Sequence, residues 1–219
     1  GHAGDERTMR IAVERAVAAG VSIGAHVSYP DLVVYGRRRP ELYTEVLGAS
    51  VITQFDALAA TAAASGGAIT HLKPHGALYN SMAEDTALAR SVLTTIAERS
   101  PGIAVFTLPG SAAAIVADQL GLPVIAIGEG FPERGYRADG LLQPRSLAGA
   151  IIDDPDDVGE RAVGLAGDAG IPAVDGTIIH PEVATLCVHS DHPSAIENLS
   201  AMRVALAAAG VDVRRWDAP

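Results

Sequence analysis

The stretch Gly66-Gly67-Ala68-Ile69-Thr70-His71-Leu72-Lys73-Pro74-His75-Gly76-Ala77-Leu78-Tyr79-Asn80 decides how the rest of the chain is read. Ala68-Ile69-Thr70 reads as the end of a buried strand. Pro74 and Gly76 then rule out a regular helix or strand immediately after it. Two histidines, a lysine, a tyrosine and an asparagine fall within the ten positions from His71 to Asn80. Polar groups at the carboxyl end of a parallel strand project into the mouth where αβ proteins bind ligands. Chemistry is expected here first.

Working outward, the same unit recurs: a helix ends at glycine and a short apolar strand follows. The joins fall at Gly20, Gly66-Gly67, Gly121, Gly170 and Gly210. Strands are expected over 21–26, 68–71, 103–108, 124–127 and 185–189. Helices are expected over 6–19, 41–64, 85–99, 111–120, 156–169 and 193–209. Met9, Ala12, Val13, Ala16 and Val17 form one apolar stripe on the first helix, and Val46, Val51, Phe55 and Leu58 are core candidates on the second. The strands are β-branched and nearly all apolar, as parallel strands covered on both faces should be. Such alternation implies right-handed crossovers and a parallel sheet. A barrel and an open doubly wound sheet both satisfy it. No GxGxxG follows a strand and no GxxxxGK[ST] occurs, which removes the usual reasons for an open nucleotide-binding sheet. Polar strand ends favour the barrel. No linker divides residues 1–219, so a single domain is expected.

Bulk properties narrow the function classes. The 219 residues carry a formal charge of −10, which argues against a nucleic-acid or anionic-membrane surface. Cys187 is the single cysteine. It excludes an internal disulfide and cysteine-rich zinc sites, and reads as a buried, inert core thiol. No apolar run is read as long enough, about 18 residues, to span a bilayer, and no signal peptide opens the chain. A soluble cytoplasmic protein is expected.

Four histidines, His26, His71, His75 and His189, lie at strand ends or in adjoining loops, and His2 makes a fifth. One such histidine is usually structural. Several aimed at one mouth suit metal binding or proton transfer, because imidazole does both near neutral pH. A metal site and a metal-free polar pocket both remain open. His71 and His75 have the i, i+4 spacing of helical zinc ligands, but Pro74 argues against that geometry. Lys73 is either a solvated lysine or a point charge for a carboxylate or phosphate. Tyr79 and Asn80 either orient a polar ligand or help start the next helix, with Asn80 as its N-cap.

A second cluster runs from Glu129 through Glu133, Arg134, Tyr136, Arg137 and Asp139 to Arg145. It is either a salt-bridged surface connector or a clamp on an anionic substrate, to which Arg37 and Arg38 add. Asp175-Gly176-Thr177 reads as a turn, the acidic run 153–157 as a helix start, and Trp216 as a packing anchor.

Taken together, these residues resemble the LamB/YcsF family, whose characterised function is as the A subunit of prokaryotic 5-oxoprolinase. The matching segments are Gly1-His2-Ala3-Gly4-Asp5, Gly24-Ala25-His26 with Tyr29-Pro30-Asp31, Gly36-Arg37-Arg38, and Lys73 to Asn80. They continue in Arg134-x-Tyr136-x-x-Asp139-Gly140-x-Leu142-x-x-Arg145, Val174-Asp175-Gly176 and Cys187-Val188-His189-x-Asp191. The KPHGALYN run is the most specific.

The resemblance implies a distorted (β/α) barrel of the glycoside hydrolase and deacetylase type, seven-stranded in the family. It implies ATP-dependent opening of 5-oxo-L-proline to L-glutamate, with partner subunits B and C, and allows a homo-oligomer. His75, Lys73 and Asp5 become the catalytic candidates. Arg37, Arg134 and Arg145 supply cations for phosphates, with Tyr79, Asn80, Tyr136, Asp139 and His189 around the substrate. His2, His26 and His71 are the ligands expected if a divalent ion binds. The family opens with a strand carrying Asp-Leu-Asn-x-Asp-x-Gly-Glu, which this sequence lacks, so its first strand and those carboxylates are expected to be missing. Glu133 stands where the family usually has Asp, and Ser190 where it has Gly. Two other functions stay in view: a stand-alone metal-dependent deacetylase or amidohydrolase, and a non-catalytic lactam- or carbohydrate-binding module.

Overall fold

The computed structural model describes residues 2–119, 121 and 124–216. Gly1, which opens the first motif, and Leu120, the expected end of a helix, lie outside the described residues. Helices and strands alternate: α1 (Glu6–Ala18), β1 (Ile23–Ala25), α2 (Thr44–Ala64), β2 (Ile69–Leu72), α3 (Gly76–Glu84), α4 (Thr86–Arg99) and β3 (Ile103–Thr107). They continue as α5 (Ala112–Gln119), β4 (Val124–Gly130), α6 (Pro155–Ala166), β5 (Ile171–Pro172), β6 (Ile178–Ile179), β7 (Thr185–Leu186) and α7 (Ala195–Ala208).

The sheet has the order β1-β2-β3-β4-β7. β1 and β2 are parallel, with Ala25 opposite Leu72; β2 and β3 are parallel, with His71 opposite Ala104; β4 and β7 are parallel, with Glu129 opposite Thr185. The expected α/β architecture with parallel pairing is therefore present, with five strands in this sheet among the described residues. β5 and β6 instead form a separate antiparallel pair. Their turn is Asp175-Gly176-Thr177, as the sequence predicts: Thr177 N–H donates to the Asp175 carboxylate at 3.0 Å.

Where one domain is expected, the chain groups into two compact units. The first holds the described residues within Gly1–Thr107, Ala112–Ala126 and Arg215–Pro219; the second holds Leu108–Ser111 and Ile127–Arg214. Each has its own core. In the first, Val51, Leu72, Leu78, Leu93 and Val105 are fully buried in one cluster, and all five positions of β3 are buried. Burial of each large aliphatic side chain contributes about 1.5–3 kcal/mol. In the second, Val158 and Ala162 of α6 pack on Met202 and Leu206 of α7.

The helix starts follow local chemistry. Asp154 caps α6 and Pro155 takes the first position, where its missing N–H costs nothing. Asp85 caps α4 through Leu88 N–H at 3.0 Å. Gly20 ends α1 with φ 64, a left-handed conformation that glycine adopts without penalty. Trp216 is a packing anchor as expected: its carbonyl accepts from Ser22 and its ring meets Phe106 edge-on.

Some expectations are corrected. Val46 is 50% exposed rather than in the core, because α2 turns Leu47, Val51 and Phe55 inward instead. Cys187 is half-buried rather than buried. α2 is also long and apolar enough to cross a membrane by length and composition, contrary to the reading that no run is. Its alanines raise its apolar character without adding bulk. Asp56 on this helix pairs with Arg99 at 2.7 Å, and Leu47, Val51 and Phe55 lie in the first unit's core.

Candidate functional site

β1 and β2 run side by side, and their pairing continues past both strand ends. Lys73 N–H donates to the Ala25 carbonyl at 2.9 Å and His75 N–H to the Val27 carbonyl at 2.7 Å. This register brings His26 beside His75. α3 then begins at Gly76, with His75 in the N-cap position. Asn80 lies inside α3, so it is not the cap; Pro74 places the break earlier than expected. Gly36 and Gly76 let two loops meet. A Cβ on Gly76 would sit 2.8 Å from the Gly36 carbonyl oxygen, which also accepts from Ala77 N–H at 3.0 Å.

The result is a trio of His2, His26 and His75, whose ligand atoms lie within 4.8 Å of one another. His2 stacks on His75 at 3.7 Å between centroids and 3° between planes. His26 meets both edge-on. His71, expected in this group, is not part of it. Its ring stacks on Phe106 at 4.4 Å, and its Nδ1 faces the Thr70 hydroxyl at 2.9 Å. That ring occupies the space a side chain at position 24 would need, so Gly24 has no room for a Cβ.

Two backbone carbonyls fix a proton on each of two rings of the trio. His26 Nδ1 lies 3.0 Å from the Lys73 carbonyl, and His75 Nε2 lies 3.0 Å from the Tyr35 carbonyl. A carbonyl can only accept, so both of these nitrogens carry hydrogen. His26 Nε2 and His75 Nδ1 then face each other at 2.9 Å. If both rings are neutral, two lone pairs oppose, and a cation must sit between or beside them: a proton or a metal ion. Tyr35 holds its carbonyl in place from a left-handed backbone, φ 53, which is strained for a non-glycine residue.

The surroundings of His26 favour its neutral imidazole. Desolvation of the His26 ring, then the charges of Lys73, His75 and His2, lower its pKa to about 3, opposed by its bond to the Lys73 carbonyl. The residue still exposes over a third of its surface, so solvent offsets part of this and the direction is what matters: a neutral ligand at neutral pH. Burial and then Lys73 lower His71 in the same direction. The Lys73 ammonium lies 6.0 Å from the centroid of the buried Tyr79 ring.

Asp5, a catalytic candidate, is the N-cap of α1. Its carboxylate accepts from the Thr8 backbone at 2.7 Å and the Thr8 hydroxyl at 2.8 Å. Those bonds hold its pKa below the usual value. A carboxylate so occupied is a poor proton acceptor, so the geometry gives Asp5 a capping role. Arg37 is exposed in the loop before α2.

In the second unit, the predicted cluster is neither a plain surface connector nor an open clamp. Arg134 is 4% exposed. Its guanidinium donates to the carbonyls of Ala150 at 2.9 Å and Gln143 at 2.7 Å, which ties the loop together. Tyr136 is fully buried and its hydroxyl accepts from Phe131 N–H at 2.8 Å; burial drives its pKa upward. Asp139 pairs with Arg137 on the surface, and Arg145 and Asn80 are exposed. His189 pairs with Glu133, a 3%-exposed carboxylate. Arg161 of α6 donates to the carbonyls of Pro132, Arg134 and Pro172. The sequence reading missed Arg161, which looks like any polar position on an amphipathic helix.

The LamB/YcsF family model matches residues 1–219. The chain belongs to the LamB/YcsF family. It is 43% identical to the 5-oxoprolinase A subunit of Heliobacterium modesticaldum over 213 residues, 97% of this chain and 83% of that protein. It is 42% identical to the 5-oxoprolinase A subunit of Pyrococcus furiosus over 212 residues, 97% of this chain and 82% of that one. The crystal structure of a lactam utilization protein from Thermus thermophilus superimposes with a TM-score of 0.90 at 39% identity, covering 98% of this chain and 85% of that chain. In this LamB/YcsF chain, His2 and His75 come from two of the segments that carry the resemblance, and the fold stacks their rings.

Proposed function

We propose that this chain is the A subunit of a 5-oxoprolinase, which uses ATP to open the lactam of 5-oxo-L-proline and yields L-glutamate, ADP and phosphate. It works in the cytoplasm with subunits B and C. The observation that carries this reading is the whole-length match to relatives of that name, combined with convergence of the His-Ala-Gly-Asp and KPHGALYN segments on one site.

A lactam is an amide, and its resonance opposes attack at the carbonyl carbon. ATP overcomes this by phosphorylating the lactam oxygen. Lys73 and exposed Arg37 are the chain's cations for the phosphates. His2, His26 and His75 would hold a divalent ion. The donor set fits: three imidazoles, His26 kept neutral, with two ring nitrogens aimed at each other and in need of a shared cation. Such an ion polarises oxygen ligands as a Lewis acid. Both ring nitrogens of His75 already face partners, so we assign it to holding the cation rather than to taking a proton from water.

The histidine trio also favours a second reading, a metal-dependent amidohydrolase that needs no ATP. One experiment separates the two. The chain is co-purified with its partner subunits and assayed for glutamate from 5-oxoproline, with and without ATP, alongside elemental analysis. Glutamate released only with ATP and partners supports the oxoprolinase. Release by the isolated metal-loaded chain without ATP overturns it in favour of the amidohydrolase.

A further inference from the structure

The second unit contains a histidine–carboxylate pair that the proposed cation site does not use. Glu133 is 3% exposed, and its Oε1 accepts from both the backbone N–H and the ring Nδ1 of His189. Burial pushes the Glu133 carboxyl up. The bonds and charge of His189 outweigh this, with a smaller contribution from Asn198, and its pKa lies below the usual value. Glu133 is therefore an anion that accepts from Nδ1–H. Nδ1 of His189 therefore carries hydrogen, which leaves Nε2 as the nitrogen that can take up or give a proton. Among the described residues Nε2 makes no hydrogen bond, and the side chain keeps 21% of its surface exposed.

A purely structural pair explains this poorly. Glu133 Oε2 and both side-chain polar atoms of fully buried Asn198 lack a partner at full hydrogen-bond geometry among the described residues, although the Asn198 amide lies close enough to Glu133 to act on it as a hydrogen-bonding group. Leaving several polar atoms unsatisfied in one place costs stability, and such groups concentrate at working sites. The unit is also rigidly framed: the Phe131 ring flanks His189 at 5.9 Å, and Arg161 fixes the carbonyls of Pro132 and Arg134 on either side of Glu133.

We infer that His189 is the general base of lactam hydrolysis and that Glu133 is its positioning residue, an inference resting on the oxoprolinase reading. Nε2 takes a proton from water as the water oxygen bonds to the carbon of the O-phosphorylated lactam. The C–N bond then breaks with its electron pair on nitrogen, Nε2–H delivers its proton there, and the new hydroxyl gives up its proton to solvent as an acyl phosphate forms. A second water displaces the phosphate to leave glutamate, and the imidazole ends neutral.

The test uses the enzyme reconstituted with its partner subunits, plus nitrogen-15 NMR of the histidine rings in the full chain. Glu133→Gln is expected to lower kcat roughly 100-fold with little change in KM, to shift the acid limb of the pH–kcat profile and to redistribute the His189 tautomers. Glu133→Asp retains the carboxylate and restores most activity. His189→Asn loses at least as much as Glu133→Gln, and the double variant loses no more than His189→Asn, since the pair acts as a unit. A Glu133→Gln enzyme with unchanged kcat and pH profile overturns the inference. So does kcat lost only in proportion to folded protein, with the His189 tautomer unchanged. A wild-type complex that releases no glutamate overturns the oxoprolinase reading, and this inference with it, and is seen before any variant is made.

Discussion

Two regions of this molecule use histidine in opposite ways. In the first unit His26 and His75 lean on backbone carbonyls, beside the Lys73 charge. Carbonyls accept a hydrogen but carry no net charge to stabilise an imidazolium, and the nearby cation opposes one. Desolvation of the His26 ring, with the neighbouring cationic groups, holds it neutral against the opposing pull of its carbonyl bond. In the second unit His189 leans on a buried carboxylate, Glu133. That partner is charged and is held ionised by the histidine it anchors. The first arrangement suits gathering lone pairs around a cation, and the second suits moving a proton. Residue type alone distinguishes neither; the partner of the second ring nitrogen does.

The sharpest way to break this contrast is His75→Ala. Loss of a ring that both stacks on His2 and faces His26 should reduce ATP-dependent glutamate release by at least roughly 100-fold, with the circular dichroism spectrum intact. Unchanged release in the reconstituted complex would remove the trio from the mechanism.

Arg134→Ala tests whether the second cluster is scaffold or clamp. With two carbonyls losing their buried donor, stability should fall by about 1–3 kcal/mol, read by urea unfolding. A variant of wild-type stability whose KM for ATP rises would instead make Arg134 a phosphate ligand.

A smaller effect follows from His71. Burial and the Lys73 charge lower its folded pKa below the ordinary histidine value, so the unfolded chain binds its proton more readily. The stability this histidine protects is fully present above the unfolded value of about 6.5 and is lost as pH falls through it toward the lower folded one. Melting temperature should therefore drop less steeply between pH 7.5 and pH 5 in His71→Gln than in the wild type. Equal slopes would show that burial of this ring is not linked to pH.

The smallest effect is expected from Asp5→Asn, because asparagine caps a helix nearly as well as aspartate. Turnover should stay near wild type. A collapse of kcat with an intact fold would restore Asp5 as a base.

Much of this was legible along the chain. Alternation of apolar strands with glycine-terminated helices is a local property, so the parallel α/β architecture, the Asp175-Gly176 turn and the acidic start of α6 follow from short windows of sequence. So does the importance of His71 to Asn80, because proline, glycine and clustered ionisable groups rarely coincide in a strand end. What the sequence could not rank was which histidine joins which. His71 and His75 are four residues apart, yet only His75 lies beyond the strand, and that alone turns it toward His2 and His26 while His71 stacks on Phe106. Arg134 reads as a free cation in sequence, but buried among carbonyls it becomes part of the loop's own framework. Glu133 and His189 are separated by 56 positions, and no pattern in either neighbourhood pairs them. Local spacing determines which elements form and where polar groups emerge. Tertiary structure alone decides each group's partner, and through that partner its burial, its proton and its chemistry.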